Sequence, residues 1–221
     1  MKKLDYMLNM WEQFFYRNNA KGDALFFFNK IRDQYNKPKR YYHTFEGHIY
    51  SCLSEFDNIK SFCNDSDLVY FELLNHDSYY DTTRNDNEEK SAEFAYNLAK
   101  EMCLPKRFLD NNGFIILPTK HNSTPDNLDV KFALDIDLFT FGKPPKEFDK
   151  YEENIKKEYS WVSEDIFPKF VVKRIELLQN FLKRAENHKL YLTDYFKSRY
   201  ENQATINLNK SIKELKQIYL D

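Results

Sequence analysis

The sequence predicts an all-α fold, and three observations carry the prediction. Glycine occurs only 4 times and proline 7 times in 221 residues, so the tight turns that hairpins need have few residues suited to them. Phe and Tyr are abundant and spread along the whole length, with aromatics at 17% of the chain. Apolar residues recur at helical spacing in one segment after another.

Residues 4–17 place Leu4, Met7, Leu8, Trp11, Phe14 and Phe15 at helical spacing, and Gly22 marks the break. A second amphipathic helix has Leu25, Phe26, Phe28, Ile31 and Tyr35 on its face and ends at Lys37-Pro38. The stripe Phe26–Phe28 is expected in the core. The segment from Arg40 through His43 and Gly47 to His48 leads into another helical face, Ile49, Cys52, Leu53 and Phe56. The run Asp67 to Leu74 reads as a buried helix that carries Asn75-His76-Asp77 inward.

Residues 78–86 form a polar loop, and a helix restarts at Asn87. Glu88 and Glu89 in its first turn suit the positive end of the helix dipole. The helix continues through Ala92, Phe94, Ala95, Leu98 and Met102, and Pro105 stops it. Gly113 begins a short apolar segment, Phe114 to Leu117, that ends at Lys120-His121. After a loop with Pro125, capped by Asp126, the next helix spans Leu128 to Leu138, with Asp129 read as a surface residue of its first turn. Gly142 and Pro144-Pro145 close that section. Beyond Phe148 long helices are expected at about 148–160, 164–187 and 198–219, with a linker at Asn187–Thr193. The expected organisation is a single domain over 1–221, with a core of about 22–142 and a C-terminal helical extension of about 147–219.

Composition narrows the function classes. Lys and Arg (33) nearly balance Asp and Glu (35), for a formal charge of −2, and no basic block of the kind that tracks a nucleic-acid backbone is present. No uninterrupted apolar region suggests a signal peptide or a membrane span. Cys52, Cys63 and Cys103 are odd in number and lack CxxC spacing, so they read as buried or free thiols in a reducing compartment. The expectation is a soluble cytoplasmic protein.

Polar groups that fall on otherwise apolar helices carry the chemistry: His48, His76, Asp77 and Asp137. An aspartate in the setting Phe132 to Phe139 is costly to bury unless it is paired or metal-bound. Asp135 and Asp137 lie two apart and cannot fully share a helical face, so one serves a site and the other its support or the surface. Two imidazoles and two carboxylates suit Mn²⁺, Fe²⁺, Co²⁺, Ni²⁺ or Zn²⁺, with Mg²⁺ less natural to histidine. Such an ion acidifies a bound water and polarises a phosphoryl oxygen, which is metal-assisted hydrolysis.

The order His … His-Asp … Asp resembles the HD-domain superfamily of metal-dependent phosphohydrolases, and more narrowly a family of predicted HD hydrolases of about this size. The matching pieces are Arg40-Tyr-Tyr-His43-Thr with His48-Ile49, then Asn75-His76-Asp77 with Tyr80-Asp81, then Asn87-Glu88-Glu89 with Ser91-Ala92. Further pieces are Thr119-Lys120-His121, Asp135-Ile136-Asp137-Leu138 with Gly142, and Glu158-Tyr159. Late matches are Lys173-Arg174, Tyr191 with Thr193, and Glu201 with Asn207, so the resemblance covers about residues 8–216. It implies an HD-type helical core and a metal site of His48, His76, Asp77 and Asp137, holding one ion or two. In related His-x-x-x-His phosphodiesterase motifs the second histidine is the ligand, which favours His48, and the first contacts phosphate or protonates the leaving oxygen, which gives that role to His43. This chain has one residue more between the two histidines, at Glu46-Gly47. It also has Asn75 where the family often has a bulky apolar residue, and Thr205 where the family often has Arg.

Around that set, Glu88 could act as general base or orient the attacking water. His121 could contact substrate or a second metal, and Arg40, Lys120 and Arg174 could bind phosphate. His188, in a polar linker, is assigned no role. The expected substrate is a nucleotide or other small phosphorylated metabolite, and the long C-terminal helices could contribute to a homodimer. Two rival readings stand beside hydrolysis: a non-catalytic module that binds metal or nucleotide, and a di-iron oxygenase, which needs more ligands than His121 alone can add.

Overall fold

The apolar spacing closes into helices throughout. A computed structural model of the chain, which describes residues 2–163 and 167–219, has ten α-helices and no strand among the described residues. The chain groups into two compact units, divided between Ala133 and Leu134. The first contains α1 (Lys3–Arg17), α2 (Ala24–Tyr35), α3 (Tyr50–Ile59), α4 (Ser66–Asn75), α5 (Asn87–Glu101), α6 (Lys106–Asp110) and the start of α7 (Leu128–Leu138). The second contains α8 (Pro145–Glu158), α9 (Phe167–Glu186) and α10 (Asp194–Tyr219).

In the first unit α4 is the centre. Every residue from Leu68 to Asn75 is buried, as expected of a helix that is apolar on all sides. Phe14 of α1 stacks on Phe71 at 5.6 Å, and Phe108 of α6 meets both rings edge-on at 5.6 Å. Tyr35 donates its hydroxyl to the Leu74 carbonyl at 2.8 Å, joining α2 to the last turn of α4. The cap of α4 is Asp65, which accepts from the Leu68 N–H. The buried helix that carries His76-Asp77 inward is therefore present.

Three expectations need correction here. The buried face of α2 is Phe27, Phe28, Ile31 and Tyr35, whereas Leu25 and Phe26 are 52% and 59% exposed. Phe26 is not core. The reason lies at Gly22, where a Cβ would come within 2.8 Å of the Phe27 ring; that missing atom lets Phe27 turn inward in its place. The cap of α7 is Asn127, which accepts from the N–H groups of Asp129 and Val130 at 2.9 and 3.2 Å, and not Asp126. Asp129 is not a surface residue. It is buried, and its carboxylate accepts from the Asn64 and Asp65 N–H groups at 2.7 and 2.9 Å. Those partly buried amides lie in the turn ahead of α4 and take Asp129 as their acceptor, so Asp129 ties the start of α7 to the start of α4.

Glu72 of α4 is a second buried carboxylate that reaches backbone. It accepts from Gly113, Ile115 and Ile116 at 3.0, 2.6 and 3.1 Å, holding the short apolar segment against α4. Burial pushes its carboxyl up to about 7, and the backbone N–H groups counter only part of that. A raised carboxyl pKa means the folded state holds its proton more tightly than the unfolded chain does, so this contribution is intact below the ordinary value near 4.5 and is lost as pH rises through about 7. The loss is on the order of 3 kcal/mol. Glu72→Gln cannot ionise, so the stability difference between the two proteins in urea should shift with pH over this window. A difference that stays constant from pH 4.5 to pH 7.5 would contradict it.

In the second unit the buried carboxylate is Asp135, which accepts from the Leu192 N–H (2.6 Å), the Thr193 N–H (2.8 Å) and the Thr193 hydroxyl (2.6 Å). Burial raises its carboxyl to about 6. By holding Thr193 it sets the entry to α10, which begins at Asp194, four residues before the expected 198. Helix α8 likewise begins at Pro145 rather than 148, since a proline is suited to the first helical position. The expected start of the preceding long helix at 164 lies outside the described residues. Glu201 accepts from the Leu190 N–H at 2.8 Å, and Asn207 donates to the carbonyls of Phe141 and Lys143, each at 2.8 Å.

Gly142 sits where α10 passes closest. A Cβ there would lie 2.5 Å from both the Cβ and the carbonyl oxygen of Tyr200. Backbone cannot swing aside as a flexible side chain can, so Gly142→Ala should cost at least about 2 kcal/mol in chemical denaturation. An unchanged midpoint would show that α10 is not held this tightly.

Cys52 is buried, Cys63 half-buried and Cys103 exposed, all as free thiols. Among the described residues no helix is long and apolar enough to cross a membrane.

Candidate metal centre

Residues 40–49 and 76–81 converge in the first unit. His76 follows directly on α4, and its Nδ1 donates to the Leu73 carbonyl at 2.7 Å. That bond fixes the tautomer, leaving the Nε2 lone pair to face outward from the helix end. Nε2 of His48 lies 3.3 Å away, and Oδ2 of Asp77 lies 3.1 Å from His76 Nε2 and 3.5 Å from His48 Nε2. Both imidazoles are buried.

His48 reaches this place through an irregular turn. Phe45–Ile49 is a π-helix, with the Ile49 N–H bonded to the Thr44 carbonyl five residues back. A π turn takes one residue more than an α turn, and this one delivers the His48 imidazole to the site. The backbone must pass close to Thr44 there, since a Cβ on Gly47 would lie 2.4 Å from the Thr44 hydroxyl oxygen. Cys52, one turn on, sets its sulfur 3.6 Å from His48 Nδ1.

Asp137 stands on the last turn of α7, in the second unit. Of the pair left open by the sequence, Asp135 is the one held by the Leu192 and Thr193 backbone.

The donor set passes a geometric test. Donors bound at about 2.1 Å from one ion stand roughly 3.0–3.4 Å from each other at tetrahedral or octahedral angles. The separations of 3.1, 3.3 and 3.5 Å between His48, His76 and Asp77 match those edges. Burial would raise the Asp77 carboxyl, but His76, His43 and His48 together hold it well below the usual carboxylate range. It is an anion in this setting.

His43 sits at the rim, its Nε2 4.0 Å from Asp77 Oδ2 and its ring stacked on Tyr80 at 3.9 Å. Glu88 is half-buried; burial raises its carboxyl, Lys120 opposes this and the charge of Asp77 adds to it. Lys120 is engaged by Glu89 at 2.5 Å, by Glu88 at 3.8 Å and by the Asn85 carbonyl at 3.3 Å. His121 ends the turn Leu117–Lys120 in a left-handed conformation, φ 54°. Arg174 belongs to the second unit, where its guanidinium pairs with Glu152 at 2.7 Å and meets the Tyr151 hydroxyl at 3.0 Å.

Arg40 braces the backbone around the site. Its guanidinium donates to the carbonyls of Asp77 (2.7 Å), Ser78 (3.1 Å) and His43 (3.2 Å), fastening the two ligand-bearing segments to each other. The loop after Asp77 is braced from α5 as well. Asn87 exchanges two hydrogen bonds of 3.0 Å with the Asp81 backbone, and Ser91 bonds the Tyr79 N–H and carbonyl at 3.0 and 3.1 Å. The sequence marked Tyr80, Asn87 and Ser91 only as matching positions; their bracing roles depend on contacts that spacing does not encode. No protein family, curated protein or solved structure matches the chain in comparison.

Proposed function

We propose that the chain is an HD-type phosphohydrolase that cleaves a phosphate ester of a nucleotide or other small phosphorylated metabolite with the help of a divalent metal. The observation that carries this reading is the convergence of His48 Nε2, His76 Nε2 and Asp77 Oδ2 at 3.1–3.5 Å, donor to donor. The ordered resemblance along the chain supports it. His48, His76 and Asp77 would hold the ion, the resemblance adding Asp137 as a fourth ligand, with Mn²⁺, Fe²⁺, Co²⁺, Ni²⁺ or Zn²⁺ suited to such a mixed set. When bound, such an ion acidifies water and polarises a phosphoryl oxygen.

The chain's own part is orientation and proton transfer. The Leu73 carbonyl keeps the His76 ring in the liganding tautomer. His43, backed by Tyr80 and facing Asp77, is placed to give a proton to the departing ester oxygen. Glu88, its carboxyl raised by burial, is the group to accept a proton from the attacking water. Elemental analysis of purified protein, followed by a phosphatase and phosphodiesterase screen with the metal found, tests the proposal. An Asp77→Ala variant that loses its metal while every detected activity stays unchanged would overturn it.

A further inference from the structure

Between α8, α9 and α10 of the second unit lies a cavity of about 490 Å³, a volume of the kind that holds a small molecule. Its surface is mostly apolar. Phe148 and Ile155 come from α8, Phe170 and Val171 from α9, and Leu215 from α10. Arg174 of α9 lines the same space, with its side chain only 13% exposed.

The bonds of Arg174 decide what it can still hold. Its Nη2 donates to Glu152 Oε1 at 2.7 Å and to the Tyr151 hydroxyl at 3.0 Å, which uses both hydrogens of that nitrogen. No group among the described residues accepts from Nε or Nη1. Glu152 is fixed in place, since its other oxygen accepts from the Ser211 hydroxyl at 2.9 Å. Arginine grips a carboxylate with two parallel N–H groups along one edge. Each two-donor edge of Arg174 includes an Nη2 hydrogen already in use. Single donors remain, and a single donor suits one carbonyl oxygen.

Charge points the same way. The lining carries four carboxylates, Asp149, Glu152, Glu153 and Glu214, to three cations. An anion therefore gains no net attraction there, and Arg174 repels a cation.

We propose that this cavity binds an uncharged small molecule with an apolar, ring-containing body and one carbonyl oxygen that accepts from Arg174. The apolar wall takes the body out of water, and the arginine replaces the hydrogen bond that the carbonyl gives up on entry. The site lies wholly within the second unit and stands whether or not the chain hydrolyses phosphate esters.

The test uses the full chain and three molecules of one shape: 2-acetylnaphthalene, 2-naphthoate and 2-ethylnaphthalene. Titration followed by the ligand NMR signals should show the ketone binding about tenfold more tightly than the other two. Arg174→Met keeps a long apolar stem and removes the donors, so the ketone should fall to the level of the hydrocarbon. The hydrocarbon's own affinity should hold, which reports that the cavity is still formed. Glu152→Gln keeps an oxygen for Arg174 and removes one negative charge; it should strengthen naphthoate binding and leave the ketone unchanged. Leu215→Trp fills the cavity and should abolish binding of all three. If Arg174→Met fails to fold, the wild-type series and the other two variants still decide. No ketone binding by wild type, equal affinity for ketone and hydrocarbon, naphthoate bound more tightly than ketone, or undiminished binding in Leu215→Trp would each overturn the proposal.

Discussion

His76→Ala is expected to abolish tight metal binding and to lower hydrolysis by at least about a thousandfold. His76 is the shared corner of the donor set, 3.3 Å from His48 Nε2 and 3.1 Å from Asp77 Oδ2. Removing it leaves two donors in the first unit that no longer enclose a point. A bound metal is worth several kcal/mol of transition-state stabilisation, and each 1.4 kcal/mol is about tenfold in rate. The effect on folding should be small by comparison. The bond to the Leu73 carbonyl is lost, but the close approach of two imidazole nitrogens at 3.3 Å is relieved with it. The measurement is therefore thermal unfolding with and without metal. Wild type should gain about 2.7 kcal/mol at a hundredfold excess over its dissociation constant, and the variant should gain nothing. His43→Ala provides the contrast: full metal content with a rate loss on the order of a hundredfold, as for removal of a proton-transferring group. A His76→Ala protein that keeps stoichiometric metal and full rate would remove His76 from the centre.

The parts of this structure that could be read in the sequence are those set by local pattern. Helix α4 shows its burial directly, because apolar residues surround it and no solvent face interrupts the run from Leu68 to Leu74. Asn75-His76-Asp77 then follows at the one place where the buried helix must end. What pattern cannot supply is the choice between equivalent local solutions. Leu25, Phe26, Phe27 and Phe28 fit an inward helical face in more than one rotation, and the choice falls to the space beside Gly22. Asp129 illustrates a different limit. A carboxylate in a first helical turn satisfies the dipole whether or not it is buried, and only the distant amides of Asn64 and Asp65 make it a buried anchor.

The candidate site divides along the same line. Residue identity pointed to His48, His76, Asp77 and Asp137, because histidine and aspartate are costly on apolar helices without a partner. The π turn that brings His48 into place leaves no mark in the residue pattern. Asp135 is held by Leu192 and Thr193, more than fifty residues away in sequence, which no local pattern shows. Lys120 and Arg174 show the complementary limit. Their acidic partners, Glu89 in one case and Glu152 in the other, are contacts that sequence spacing does not encode.

Arg40→Lys should prove far from conservative. The guanidinium of Arg40 spreads its donors over three carbonyls, at His43 on one side and at Asp77 and Ser78 on the other, while packing over the rings of Tyr35 and Tyr80 at 5.1 and 5.6 Å. One planar group thus holds the segment of His43 and the segment of Asp77 in register. A lysine ammonium concentrates its donors at one point and lacks the flat face that fits between the rings. At least two carbonyls, at most one of them buried, would lose their partner, a cost of about 2 kcal/mol. Because those carbonyls belong to the ligand-bearing segments, metal affinity should fall by roughly 10–100-fold, the effect typical of losing a group that orients ligands. The decline in hydrolysis should follow the metal occupancy and be relieved in part by excess metal. A role confined to packing would lower the unfolding midpoint but leave the affinity of the folded fraction for metal unchanged. Titration of metal into Arg40→Lys below its unfolding transition separates the two, and an affinity equal to that of wild type would reduce Arg40 to a packing residue.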